Sequence, residues 1–133
     1  MPATLTVRDE TTFRHASPSA VWTLAVPTER VTVQELIRAR VYQEVADYNA
    51  LQPDYFRGLV QPTDAERTLN GFKLPKGRQV DAEEQFYQAL LSFQSNGFIL
   101  LVDDRQVDDL DETIEIGPNT SVTFLKLIPL VGG

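Results

Sequence analysis

Apolar and polar residues alternate along several short stretches of the chain, and this spacing predicts β-strands. Residues 4–8 place apolar side chains on one face and polar side chains on the other, and the pattern can be continued as far as Phe13. Branched and aromatic residues dominate positions 21–26 and predict a second strand. A nearly unbroken apolar run at 98–102 is typical of a strand covered on both faces.

Two further strands are predicted near the C-terminus. Asp103 and Asp104 favour a turn after the 98–102 run, so that residues 105–107 can pair back as a short strand. A second turn is predicted at Gly117-Pro118. Residues 121–128 then alternate as a final strand that is apolar on both faces. One of those faces is expected to join the core, and the other is equally compatible with a partner-binding surface and with cover by the middle of the chain.

A longer helical repeat begins after Thr32. This residue lies three positions before Glu35, the spacing of a capping box in which each side chain reaches the other's backbone amide. The spacing therefore predicts a helix over 33–49, ended ahead of Pro53. Its apolar stripe recurs at intervals of three and four residues and comprises Val33, Leu36, Ile37, Val41, Val45 and Tyr48.

The middle of the chain, residues 52–97, is less regular. Scattered prolines and glycines without a sustained period predict loops and short turns over 52–80. A loop of that length is expected to pack partly through its own apolar side chains, which are Tyr55, Phe56, Leu59 and Phe72. A second amphipathic helix is predicted over 82–95, because Asp81 and Glu84 repeat the capping spacing and Asn96-Gly97 can adopt a left-handed end.

Composition narrows the classes of function. A chain of 133 residues with 42% hydrophobic and 23% charged residues indicates one globular domain. Its net charge of −7, without a lysine or arginine cluster, argues against binding to nucleic acid or to an anionic membrane. No cysteine is present, which excludes disulfides, thiolate metal ligands and a cysteine nucleophile. The N-terminus lacks a signal-peptide pattern and no apolar run is long enough to span a bilayer, so a cytoplasmic protein is expected.

Metal sites are not indicated either. His15 stands alone, away from other candidate ligands. The acidic positions from Asp103 to Glu112 lack the regular alternation and the central glycine of a calcium loop. Turn formation and solvent exposure are the favoured explanation for these carboxylates.

The chain ends FLKLIPLVGG, an apolar strand followed by two glycines. Glycine carries no Cβ, so its backbone can pass through a channel too narrow for other residues, and no side chain shields the last carbonyl. Pro129 cannot donate to a sheet ladder, so strand pairing is expected to weaken there. Residues 129–133 are therefore expected to form a flexible tail that projects from the sheet.

The order of these elements resembles the β-grasp fold, in which a mixed sheet wraps around one main helix. The stretch FILLVDDRQVDDLDETIEIGPNTSVTFLKLIPLVGG more closely resembles ubiquitin and its relatives, which have a strand, a turn, a short strand, a one-turn helix, a loop and a final strand ending in diglycine. Leu110, Ile114 and Ile116 stand where that family has the apolar anchors of its one-turn helix and of the following loop. Among its relatives, the chain looks most like the bacterial ubiquitin-like modifiers found beside dedicated conjugation enzymes.

The resemblance covers about residues 4–50 and 98–133 and implies an α+β, β-grasp (ubiquitin-like) fold. Residues 1–133 would form a single domain, with 52–97 as a helix-containing insertion placed before the last strands. The insertion is absent from the plain ubiquitin pattern. The tail also departs from that pattern, because ubiquitin carries arginines where this chain reads IPLVGG.

The resemblance also implies a function as a protein modifier. An activating enzyme would consume ATP to adenylate the carboxylate of Gly133, and a conjugating enzyme would pass the acyl group to target proteins, with a deconjugating protease as a further possible partner. The chain would be an acyl donor and not an enzyme, with no catalytic residue, metal ion or bound cofactor of its own. Gly132 and Gly133 would form the attachment site, and partners would read the preceding tail by shape and apolar contact at Ile128, Pro129, Leu130 and Val131.

Two other functions fit the same sequence. Small β-grasp sulfur carriers share the diglycine end and carry a thiocarboxylate, although the long insertion argues mildly against this class. A non-covalent interaction or assembly module would use the apolar sheet face and would not need the glycines. If modifier chains form, Lys73 and Lys76 in the insertion are expected to be more accessible acceptors than Lys126 in the final strand.

Overall fold

The computed structural model describes residues 2–11, 20–68 and 70–127. The first strand extends beyond the predicted 4–8 as far as Thr11. The rest of its expected extension, to Phe13, the isolated His15 and the tail from Ile128 to Gly133 lie outside the described residues. Within the described part, the strands and helices are, in chain order, β1 (Ala3–Thr11), β2 (Ala20–Val26), β3 (Arg30–Thr32), α1 (Val33–Leu51), β4 (Glu66–Thr68), β5 (Gly71–Lys73), α2 (Ala82–Gln94), β6 (Phe98–Val102), β7 (Arg105–Val107), β8 (Thr113–Glu115) and β9 (Ser121–Lys126).

Five strands form a mixed sheet in the order β2-β1-β9-β6-β7. The two central neighbours, β1 and β9, run parallel, with Val7 opposite Val122. The other three pairs, β1 with β2, β6 with β9 and β6 with β7, are antiparallel. The final strand of the chain therefore lies at the centre of the sheet, bonded along both edges.

One face of this sheet and the buried stripe of α1 enclose the hydrophobic core. Leu5 and Val7 of β1 are fully buried, whereas the intervening threonines are exposed, so the strand is covered on one side only. The stripe of α1 is buried at every predicted position, with Arg40 buried among them. From β9, the core receives Val122 and Phe124, both 0% exposed.

The start of α1 confirms the predicted capping box. The Glu35 amide donates to the Thr32 hydroxyl at 3.1 Å, and the Glu35 carboxylate accepts from the Thr32 amide at 3.3 Å. Two further amides of the first turn are satisfied across the molecule, since Val33 N–H donates to the Glu112 carbonyl and Gln34 N–H to the Leu110 carbonyl. The helix runs two residues beyond the predicted end and stops at Gln52, which is left-handed.

The segment before β9 differs in part from the expected pattern. In place of a one-turn helix, residues 109–112 form a single turn closed by the Glu112 amide and the Asp109 carbonyl. Ile114 then lies in β8, which pairs with β3, and neither of these short strands was predicted. Ile114 and Ile116 are buried and Leu110 is half-buried against the core, so the three expected anchors do pack inward.

The middle of the chain is more ordered than the predicted loops and turns. β4 and β5 pair as a small antiparallel hairpin in which Thr68 lies opposite Gly71, and an isolated bridge joins Phe56 to Phe72. Phe56 is 2% exposed and meets the Tyr48 ring edge-on at 5.3 Å between centroids, so this segment is docked on α1. The helix predicted over 82–95 is α2, which begins after the Asp81 cap and is followed by a left-handed Asn96.

Over the described residues the fold is thus α+β, with a mixed five-stranded sheet and two helices. This arrangement is compatible with a β-grasp-like wrapping of the sheet around α1.

Candidate functional site

The C-terminal segment begins from a fixed root at the end of β9. Lys126 is the last residue of the strand and lies opposite Phe98 of β6. The next residue, Leu127, donates its amide to the Gly97 carbonyl at 3.2 Å. The six residues named as the tail and attachment site, Ile128 to Gly133, follow directly from this point.

A cluster of charged side chains lies on the inner side of the sheet at this root. The Arg40 guanidinium, 1% exposed, makes a two-pronged ion pair with the Asp9 carboxylate at 2.5 and 3.0 Å. Its Nε also contacts Glu44 Oε2 at 3.3 Å, one helical turn further along α1. The end of β1 and the middle of α1 are therefore joined by charge-assisted hydrogen bonds.

Two aromatic rings enclose the guanidinium. The Arg40 carbon lies 4.5 Å from the centre of the Phe124 ring and 5.3 Å from that of Trp22. Trp22 also donates its indole N–H to Asp9 at 3.1 Å. The cation is thus held by carboxylates and by the negative faces of π-systems, which offsets the loss of its hydration.

Two side chains of the cluster also hydrogen-bond to a single peptide group in the middle of the chain. The ammonium of Lys126 donates to the Gly58 carbonyl at 2.7 Å, and Glu44 Oε1 accepts from the Leu59 amide at 2.9 Å. The Gly58 carbonyl and the Leu59 N–H belong to the same peptide unit. Gly58 is required there because a Cβ would overlap the Phe56 ring.

Burial shifts the proton affinities of two members of the cluster. Desolvation raises the pKa of the Glu44 carboxyl above its ordinary value of 4.5, against the opposing effects of the Arg40 charge and the Leu59 amide. Desolvation lowers the pKa of the Lys126 amine below 10.5, and the neighbouring Arg40 charge lowers it further, while Glu44 and Asp9 act in the opposite direction. Both groups are therefore held in a medium that disfavours their charged forms.

Replacing Glu44 by glutamine is expected to change how stability depends on pH. Because the folded-state pKa of Glu44 lies above 4.5, the folded protein binds more protons than the unfolded chain in the interval above that pH. The carboxyl contribution to the free energy of unfolding is then fully present below pH 4.5 and is lost as the pH rises through the folded-state pKa. Relative to Glu44→Gln, the wild type should lose stability as the pH is raised from 4.5, as measured by urea unfolding of both proteins. If the wild type instead gains stability relative to Glu44→Gln as the pH rises above 4.5, the raised pKa of Glu44 is contradicted.

The opposite face of β9 carries a partly covered apolar surface. Leu125 of β9 lies beside Ile99, and Thr123 beside Leu101 of β6. The three apolar side chains are half-buried, and Thr123 is 8% exposed. The hydrogen bond from Lys126 to the middle of the chain is made on the inner face of the sheet, so that bond does not cover this outer surface.

The three lysines occupy different environments. Lys73, at the end of β5, and Lys76, in the following turn, are both exposed. Lys126 is half-buried and its ammonium is engaged with Gly58. The two residues expected to be accessible acceptors are thus the two lysines that solvent reaches freely.

The acidic positions between Asp103 and Glu112 serve turns and strand ends. The Asp103 and Asp104 backbones are left-handed, as the turn between β6 and β7 requires. Asp103 also accepts from the Ser121 amide at 3.0 Å, and Arg105 pairs with Glu112 at 2.7 Å. Within the described residues, no group of three or more histidines and carboxylates is arranged to hold a metal ion.

The charged cluster was not predicted from the sequence, although two of its residues occupy positions where the pattern predicts a buried side chain. Arg40 follows Leu36 and Ile37 by four and three positions, so it falls on the buried stripe of α1, and Lys126 shares a strand face with Val122 and Phe124. A charge at a core position needs a partner. The partners, Asp9 from β1 and Gly58 from the middle of the chain, are 31 and 68 positions away and emerge only from the fold.

No helix in the described part of the chain is both long and apolar enough to cross a bilayer. Comparison of the chain with protein-family models, with curated proteins and with solved structures gave no match.

Proposed function

We propose that this protein is a ubiquitin-like modifier with a β-grasp fold. A partner enzyme activates the Gly133 carboxylate with ATP, and the acyl group is then transferred to an amino or hydroxyl group of a target protein. The observation that carries the proposal is the position of β9. The last strand lies at the centre of the sheet, parallel to β1, and leads straight into the sequence IPLVGG.

The chemistry requires only an accessible acyl group from this chain. A free carboxylate is a poor electrophile at neutral pH, whereas an acyl-adenylate carries a good leaving group. A partner's cysteine can capture the acyl group as a thioester, or its serine as an ester, with release of AMP, and a target nucleophile can then displace the cysteine or serine. The chain has no cysteine, which is consistent with a role as donor and not as carrier enzyme.

Two neighbouring features support the proposal. Gly132 and Gly133 carry no side chain that would shield the carbonyl of Gly133. A partner enzyme can recognise the preceding segment by apolar contact with Ile128, Pro129, Leu130 and Val131. Because the tail lacks arginine, enzymes that recognise the charged tail of ubiquitin are expected to process this one poorly.

The test is ATP-dependent conversion of the protein to larger covalent species. An N-terminally tagged protein is incubated with an extract of its source cells or with a candidate adenylating enzyme from the same genome, with ATP or with apyrase. New bands that resist denaturation and require ATP support the proposal. The absence of any ATP-dependent covalent product in the extract would count against it.

Chain formation is expected to use the lysines of the middle segment. Replacing both Lys73 and Lys76 by arginine should remove polymers in which one copy of the modifier is joined to another, because Lys126 is half-buried and engaged. Attachment of single copies to targets should continue. Intact-mass measurement of the products checks this, and multimers that persist in the double variant would contradict the choice of acceptors.

A non-covalent interaction module remains the second candidate, and the outer face of the sheet favours it. Ile99, Leu101 and Leu125 form a contiguous apolar surface there that is only partly covered. Such a module would keep its binding after removal of the two glycines, whereas a modifier or a sulfur carrier would lose its activity.

A further inference from the structure

One buried side chain in the described part of the chain carries a polar atom without a partner. Gln85 lies in the first turn of α2 and is 2% exposed. Among the described residues, its Oε1 is the buried side-chain atom that receives no hydrogen bond. A buried acceptor that stays unpaired costs free energy, whereas an apolar side chain of similar shape at the same position would not. The Gln85 carboxamide is therefore suited to a donor that comes from another molecule.

Gln85 lines a cavity of about 250 Å³ at the start of α2. The walls of this cavity are the turn at residues 62–64, Leu74, residues 78–81 and the first turn of α2. The volume is below that of the pockets that hold drug-sized ligands, so it suits a molecule of only a few non-hydrogen atoms.

The walls favour a positive charge and disfavour a negative one. The carboxylates of Asp64, Asp81 and Glu84 line the cavity, together with the guanidinium of Arg78. A helix N-terminus attracts anions through its free amides, but here Asp81 Oδ1 already accepts from the Glu83 and Glu84 amides at 2.9 and 3.2 Å. An anion at this end of α2 would therefore meet like charge and amides that are already bonded.

Two contacts at the surface fasten the 62–65 turn to the other walls. The Thr63 hydroxyl donates to Glu84, and Arg78 pairs with Asp64 at 3.1 Å. The four side chains are exposed, so each contact adds little to stability and the turn can open locally at small cost. Local opening of this turn gives a small molecule a route to Gln85, whose acceptor is covered while the turn is closed.

We propose that this cavity is a binding site for a small primary amine. The ammonium group donates to Gln85 Oε1, and the carboxylates of the walls balance its charge. The short alkyl chain packs against Leu74 and Val80, which are 8% and 7% exposed. The site contains no residue of the proposed attachment segment, so it is tested independently of the modifier function.

Ligand class is tested by titrating the isotope-labelled protein with propylamine, propanol and propionate at neutral pH and constant ionic strength. The three probes are similar in size and differ in charge. We expect propylamine to shift the amide NMR signals of residues 62–65 and 82–86 and to bind about tenfold more tightly than propanol, with no saturable shift from propionate. Equal affinities for propylamine and propanol, or no saturable shift with propylamine up to about 100 mM, would overturn the proposal.

Gln85→Met distinguishes a ligand site from a position that only supports the fold. Methionine keeps the size of the side chain and removes the unpaired acceptor. The midpoint of thermal unfolding of the free protein should therefore rise, by about 3–6 °C, while the affinity for propylamine falls about tenfold. Loss of a residue that only supports the fold would lower the midpoint. A lower midpoint in Gln85→Met, or binding as tight as that of the wild type, would overturn the proposal.

Glu84→Gln and Glu83→Gln form a matched pair of variants for the charge. Both remove one carboxylate from the first turn of α2, but Glu84 lines the cavity and Glu83 is not among its lining residues. Glutamine at position 84 can still accept from the Thr63 hydroxyl, so the turn stays fastened. We expect the affinity for propylamine to fall about threefold in Glu84→Gln and to match the wild type in Glu83→Gln. Equal losses in the two variants would assign the attraction to overall charge and overturn the site.

Discussion

Replacing Arg40 by alanine is expected to lower the free energy of unfolding by about 3–5 kcal/mol, the range found when one partner of a buried ion pair is removed. The guanidinium is 1% exposed and is shared between Asp9 and Glu44. Its loss leaves two carboxylates without their cation in a partly dehydrated site. The Phe124 ring also loses a cation at 4.5 Å from its centre.

The measurement is urea unfolding followed by far-ultraviolet circular dichroism, since Trp22 is itself bonded to the cluster and its fluorescence would report local change. Arg30→Ala is the matched control. Arg30 pairs with Glu115 at 2.6 Å, but both side chains are at least 70% exposed, so its loss should cost only about 0.2–1 kcal/mol. Equal effects of the two substitutions would show that the Arg40 cluster does not stabilise the fold as described.

Coupling within the cluster can be measured separately. In a double-mutant cycle of Asp9→Asn and Arg40→Ala, the second substitution should lower the free energy of unfolding by less than it does alone, because the first already removes one of the two carboxylates that Arg40 pairs with. If the losses in free energy of unfolding of the two single variants simply add in the double variant, the two residues do not interact, which would contradict their contacts at 2.5 and 3.0 Å.

Deletion of Gly132 and Gly133 is expected to abolish covalent transfer, a loss of at least about a hundredfold in rate. The deletion moves the terminal carboxylate two residues back and places a branched residue, Val131, at the reacting end. A carbonyl flanked by a branched Cβ cannot occupy a slot shaped for glycine backbone. The readout is the amount of ATP-dependent covalent product relative to the full-length protein.

Gly132→Ala is the informative companion to the deletion, because it retains the chain length and adds only one methyl group. It should reduce transfer strongly while leaving the carboxylate in register. The thermal unfolding midpoint of each variant is compared with that of the wild type, so that loss of folding is not mistaken for loss of the acyl donor. Undiminished binding to a partner by the deleted protein would instead favour the interaction module.

Local features of the fold were predictable because their signals are local. The capping box of Thr32 and Glu35 and the stripe that follows it define α1 from a span of about twenty residues. The strands β1, β2, β6 and β9 were likewise predictable from alternation or from apolar and branched runs, and β7 was predictable from the turn that precedes it. In β1 and α1 the periodicity of the sequence matches the face that the core buries, whereas β6, expected to be covered on both faces, is fully buried on one face and half-buried on the other.

The missed features depend on distant partners. The three-residue strands β3, β4, β5 and β8 are too short to show a period, and each exists because another segment pairs with it. The charged cluster joins residues from both ends of the chain and from its middle, so only part of it could be suspected, at Arg40 and Lys126. The tail was identified from its composition, and the role of residues 128–133 in recognition and attachment stays a prediction from the sequence.

The proposed function depends on whether the last carbonyl becomes bonded to another molecule, and one mass measurement addresses this directly. Trypsin cuts after Lys126, so the C-terminal fragment of this protein is LIPLVGG. We expect that ATP-treated extracts yield peptides from target proteins in which LIPLVGG is joined through Gly133 to a lysine or hydroxyl side chain. Recovery of LIPLVGG only with a free carboxylate, or with one oxygen exchanged for sulfur, would contradict a role as a protein modifier.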